Sequence, residues 1–170
     1  MNKRIFRVFE SLLFLATTFV LFSSFYFQYF QELQPCPLCL MQRLCIFFIF
    51  FLCLSGMFLS TLKRARIITF WQVFFSLAGI FFVSRQLWLQ SLSAENVPAC
   101  LPGLDVLIRY FPWQEVAHAL FWGDGECAES TWRLWGLSMA GWAAIYFIFS
   151  TFLSGFLFWR LKKTPITYTP

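Results

Sequence analysis

The chain has 170 residues, of which 59% are apolar, 22% aromatic and only 12% charged, against about a quarter charged in a soluble domain. That composition excludes a water-soluble globule, a disordered chain and a coiled coil, and six cysteines are too few for a disulfide-knotted secreted scaffold. The net charge of +5 does not require nucleic acid, because Lys and Arg also gather at the cytoplasmic ends of membrane helices. What remains is a single integral membrane domain over residues 1–170, with lipid around it and no nucleic-acid partner.

Four apolar runs follow in chain order. The first covers residues 11–31 between Glu10 and Glu32, and the second 44–62 between Arg43 and Lys63. The third covers 67–89, running on past Arg85, and the fourth 134–159 between Arg133 and Arg160. At about 1.5 Å rise per residue each spans a hydrocarbon core of about 30 Å. The predicted fold class is therefore all-α, a bundle of four transmembrane helices. A basic start before an apolar run also fits a signal peptide. However, FYFQYFQELQ at 25–34 offers bulky and polar residues where a small-residue cleavage site belongs, so the first helix is expected to stay.

Orientation follows from Lys and Arg. Lys3, Arg4 and Arg7 precede the first span, Lys63, Arg64 and Arg66 join the second to the third, and Arg160, Lys162 and Lys163 follow the fourth. The segment 91–131 instead carries Glu95, Asp105, Glu115, Asp124, Glu126 and Glu129 with only Arg109. The positive-inside rule puts both termini in the cytoplasm and leaves two loops outside, at about 32–43 and 90–133. In the longer loop, Leu104, Val106, Leu107, Ile108, Tyr110 and Phe111 and then Val116, Ala117, Leu120, Phe121 and Trp122 are interrupted by Pro112. This pattern predicts two short half-buried helices on the membrane surface, followed by a turn at Gly123, Asp124 and Gly125.

Cys36, Cys39, Cys100 and Cys127 all fall on the outward side, whereas Cys45 and Cys53 fall inside the second span and read as small packing residues. In an oxidising compartment the four outer cysteines can form two disulfides. Cys36 and Cys39 make a C-P-L-C motif at the mouth of the second helix, where the positive end of the helix dipole favours a thiolate. Zinc sites use the same spacing but want a second close pair or histidines, and the chain has one histidine, His118. The motif therefore reads as a redox pair with no metal. Between Cys100 and Cys127, 26 residues intervene, so a bond there is either a staple worth about 3 kcal/mol or a partner in thiol–disulfide exchange. Arg43, one helical turn after Cys39, is either a snorkelling anchor or a guanidinium that supports a thiolate or a bound carbonyl. Arg85 has the same two readings.

Several segments together resemble one family. These are PCPLCLMQR at 35–43, RQLWLQ at 85–90, VPACLPGLD at 97–105, GECAESTW at 125–132 and WGLSMAGW at 135–142. In this order they closely resemble the DsbB family, quinone-linked disulfide-generating proteins of the bacterial inner membrane, and the likeness covers nearly the whole chain. It implies a protein disulfide oxidase in which a reduced periplasmic dithiol protein of the DsbA type attacks Cys100. Electrons would pass from the Cys100/Cys127 pair to Cys36/Cys39, and from Cys39 to ubiquinone or menaquinone, with Arg43 supporting the quinone and the thiolate. Pro37 departs from the family, where an aliphatic residue is common. Two other readings differ in class. A vitamin-K-epoxide-reductase-like enzyme would carry its CxxC after the loop pair, the reverse of the order here, and a membrane scaffold would hold two static disulfides.

Overall fold

The first apolar run forms α1 (Lys3–Phe30), and the other three form α2 (Pro37–Phe58), α3 (Leu62–Gln90) and α6 (Met139–Lys163). The computed structural model describes residues 3–31, 35–58, 62–93, 95, 104–128 and 132–163. All four helices are long and apolar enough to cross a membrane, and the protein is an all-α, multi-pass membrane protein. The helices overrun the uncharged runs that betray them. Glu10, Arg43 and Arg85 lie inside α1, α2 and α3, because a charged side chain that finds a partner within the bundle need not end a helix.

The fourth helix starts later than position 134. Arg133–Leu134 (β1) and Leu137–Ser138 (β2) pair antiparallel, Arg133 opposite Ser138 and Leu134 opposite Leu137. The intervening Trp135 and Gly136 have φ of 51° and 81°, the positive pair that a tight type I′ hairpin turn requires. The hairpin is tied to the end of α3 by Ser138 Oγ donating to Gln90 Oε1 at 2.8 Å.

α3 packs along both α6 and α2, α1 lies against α2, and a lighter contact between α1 and α6 closes the bundle. A Cβ on Gly79 would lie 2.1 Å from the Phe147 ring, so the bare backbone of α3 is what lets that fully buried ring seat between the helices. Large apolar residues line the outside, with Phe19, Phe22, Phe58 and Phe152 each more than 70% exposed, as befits a surface that faces lipid. Inside, polar side chains bond helix to helix. Thr17 meets Tyr146 at 2.8 Å, Ser76 meets Ser150 at 2.8 Å, and Gln72 Nε2 donates to Glu10 Oε2 at 2.9 Å. Hydrocarbon offers these groups no alternative partner.

Two short helices, α4 (Leu104–Tyr110) and α5 (Trp113–Trp122), flank Pro112, whose ring cannot continue α4. They bury Leu107, Val116 and Ala119 against each other and expose Val106, Ile108, Tyr110, Trp113, Phe121 and Trp122. α5 packs on α2, and a 3₁₀ turn at Gly125–Cys127 follows it.

Candidate functional site

Cys36 stands immediately before α2 and caps it. Its carbonyl accepts the first helical bond from Leu40 N at 3.1 Å, and its sulfur accepts the Cys39 N–H at 3.4 Å. Pro37 occupies the first helical position, where its missing N–H costs nothing and its fixed φ is already helical. That is the local reason a proline fits between the two cysteines. The Cys36 thiol donates to Cys39 Sγ across 3.0 Å. Cys36 is 7% exposed and Cys39 is half-buried.

Cys127 is fully buried and belongs to the same apolar cluster as Cys36. Its thiol, then that of Cys39, then burial push the Cys36 thiol well above its usual range. Cys36 therefore keeps its proton, leaving Cys39 as the sulfur of the pair better able to carry charge. Cys100 lies outside the described residues, so the expected Cys100/Cys127 pairing is not visible. Three of the four singled-out cysteines meet at one end of the bundle.

Two features bring the Cys127 turn there. Gly123 has φ of +76°, and a Cβ on it would lie 2.6 Å from Leu38 Cδ1 and 2.9 Å from Leu89 Cδ1. The chain therefore lies directly on Leu38, the residue between Pro37 and Cys39. Arg85 supplies the second. Its Nε donates to Trp122 O at 3.0 Å, and its guanidinium lies 4.2 Å from the Trp88 ring centroid and 5.9 Å from that of Trp122. Arg85 thus holds the end of α5 to α3, a role that sequence alone left open.

Arg43 turns toward α1 rather than out into the headgroups. Nε donates to Ser24 Oγ at 3.0 Å, Nη1 donates to Gln28 Oε1, Nη2 donates to Ser24 O at 3.4 Å, and the guanidinium sits 4.9 Å from the Phe25 ring centroid. Between α2 and α3, Gln42 Nε2 donates to Gln86 Oε1 at 2.7 Å, and Gln86 Nε2 donates toward Cys39 Sγ at 3.2 Å and Cys36 Sγ at 3.6 Å. Neither glutamine was singled out from the sequence. The available signal was a polar amide in an apolar span, which marks an interior contact without naming it. His118 is exposed. Cys45 is buried in the core, and Cys53, also buried, accepts from Gln72 Nε2 at 3.4 Å. Among the described residues, no three or more His, Cys, Asp or Glu stand together as a metal site.

The family model described as disulfide bond formation protein DsbB matches residues 6–157. The chain belongs to the DsbB family. Among its relatives, the disulfide bond formation protein B of Hahella chejuensis is 37% identical over 158 residues, 89% of this chain and 93% of that protein. The disulfide bond formation protein B 1 of Pseudomonas aeruginosa is 35% identical, covering 81% and 85%, and the Psychrobacter protein is 33% identical, covering 94% and 96%. Membership of the DsbB family makes this chain a disulfide bond formation protein with thiol oxidoreductase chemistry.

Proposed function

We propose that the protein is a quinone-dependent protein disulfide oxidase of the bacterial inner membrane, one domain with both termini cytoplasmic and Cys36, Cys39, Cys100 and Cys127 on the periplasmic side. It reoxidises a periplasmic thioredoxin-fold dithiol protein of the DsbA type. The observation that carries this reading is the gathering of Cys36, Cys39 and Cys127 in one buried cluster at the mouth of a lipid-embedded bundle.

The exchange balances in four substitutions. A thiolate of the partner attacks Cys100 Sγ, the Cys100–Cys127 bond breaks, and the electron pair leaves on Cys127. Cys127 attacks the neighbouring Cys36, and the Cys36–Cys39 bond gives its pair to Cys39. The second thiol of the partner then attacks the mixed disulfide, releasing an oxidised partner and a Cys100 thiolate. Cys100 attacks Cys127, which re-forms the loop bridge and returns Cys36 as a thiol. Two electrons now sit on Cys36 and Cys39.

Arg43, with Ser24, Gln28 and Phe25 beside it, suits a quinone head: a fixed guanidinium for a carbonyl oxygen and a ring face for stacking, one helical turn from Cys39. A quinone bound there supplies a two-electron, two-proton acceptor. Such a sink is needed, because a partner poised near about −120 mV is itself a strong oxidant, and each adverse step of about 30 mV costs about 1.4 kcal/mol. The test is anaerobic quinone reduction by a reduced DsbA-type partner and the purified chain. Cys36→Ser and Cys39→Ser are expected to abolish it, and full activity in either overturns the proposal. Static bridges would also not be re-formed by added quinone after mild reduction.

A further inference from the structure

The four-cysteine scheme leaves two bonded glutamines without a role, one of which stands against its reacting sulfurs. Gln42 of α2 and Gln86 of α3 are 5% and 4% exposed, and a primary amide buried in a lipid-embedded bundle is costly unless its donors and acceptor are met. The partners here set a direction. Gln42 Nε2 donates to Gln86 Oε1 at 2.7 Å, which occupies the Gln86 carbonyl and leaves its amide nitrogen facing the sulfurs, 3.2 Å from Cys39 Sγ and 3.6 Å from Cys36 Sγ. Turned end for end, Gln86 would set carbonyl lone pairs against a sulfur anion.

We infer that Gln86 is the hydrogen-bond donor that receives the charge on Cys39 when the Cys36–Cys39 bond opens, and that Gln42 is a positioning residue acting through it. The inference rests on the function proposed above. When Cys127 attacks Cys36, a Cys127–Cys36 bond forms, the Cys36–Cys39 bond breaks, and its electron pair leaves on Cys39 Sγ. A donor already aimed at that atom stabilises the leaving sulfur without reorganising at the moment of transfer. Arg43 is committed to Ser24 and Gln28 on the α1 side, whereas Gln86 touches the sulfur directly from the α3 side. By stabilising the reduced form, Gln86 makes the pair a stronger oxidant, as stabilising the reduced form does in other dithiol proteins.

The test is the equilibrium of the Cys36/Cys39 pair with glutathione in the full-length chain, freed of quinone and carrying Cys100→Ser and Cys127→Ser so that one pair reports. Gln86→Leu is expected to lower the reduced-to-oxidised ratio about tenfold, equivalent to about 30 mV for two electrons. Gln86→His, which keeps an N–H donor, should stay within about threefold of the parent, and Gln42→Leu should lose about threefold, since hydrogen bonds to charged groups are the strong ones. If Gln86→Leu does not fold, Gln86→Glu has nearly the same shape and should lower the ratio further, because it puts a carboxylate beside the sulfur anion. A folded Gln86→Leu or Gln86→Glu chain with the parent ratio overturns the donor role. The measurement involves neither quinone nor partner protein. The Gln86 shift in a chain that fails to reduce quinone would therefore support the donor role while counting against the proposed function.

Discussion

A carboxyl inside a lipid-facing bundle must find its partners among the helices that enclose it. Glu10 is fully buried; Gln72 Nε2 donates to its Oε2 at 2.9 Å, and a Cβ on Gly56 would lie 3.1 Å from its carboxyl. Among the described residues, its Oε1 and the Oε1 of Gln72 have no hydrogen-bond partner. Glu10→Gln keeps the shape and adds a donor where two acceptors stand unpaired. It should leave thermal unfolding in detergent unchanged or raise its midpoint. Glu10→Leu strips Gln72 of its acceptor and should cost about 1–3 kcal/mol in the same measurement. The sequence marked Glu10 as the edge of a span because hydropathy records a charge and not the direction its side chain takes. Gln42 and Gln86 escaped notice for the related reason that an amide's partner lies on another helix, 44 positions away. Cys36, Cys39 and Cys127, singled out by residue type and spacing alone, meet at one end of the bundle.

At the scale of elements, the CxxC is delivered by α2 and the loop cysteine by the turn after α5, and two residues clamp the one to the other. Gly123 is required twice over, by its positive φ and by its approach to Leu38. Gly123→Ala forces a left-handed Ala and a methyl into Leu38 and Leu89, and overpacking of this kind costs about 1–3 kcal/mol. In the proposed relay Cys127 reaches Cys36 through that contact, so stopped-flow reduction of the CxxC by a dithiol partner should slow about tenfold or more. Arg85 is the other clamp. Arg85→Ala removes the bond to Trp122 O and both ring contacts, and hydrogen exchange over α5 should quicken by about tenfold. Arg85→Lys should not restore it, since an ammonium lacks the planar face that stacks on indole. The two surface helices were readable from their apolar spacing and Pro112. The hairpin at 133–138 was not, because two-residue strands leave no periodicity and the apolar tally of the fourth span runs straight through them.

For the whole molecule, the distribution of charge and the placement of the cysteines point to one orientation. Lys63 and Arg64 are exposed at the start of α3, and Arg66 holds the far end of α6 by donating from Nε and Nη2 to Leu161 O at 3.0 and 2.7 Å. The basic end of the bundle is thus also the end where α3 begins and α6 finishes, opposite the end that gathers Cys36, Cys39 and Cys127. A cation on the trans side of the membrane is disfavoured, so the cysteine end should face the periplasm. The check is labelling with a membrane-impermeant maleimide in intact spheroplasts. A cysteine placed by Tyr110→Cys, at an exposed position of α4, should react within minutes. One placed by Arg64→Cys should react only after the membrane is opened. Labelling of Arg64→Cys in sealed spheroplasts would put the thiol relay in the cytoplasm, where glutathione would reduce it and no exported dithiol could reach it.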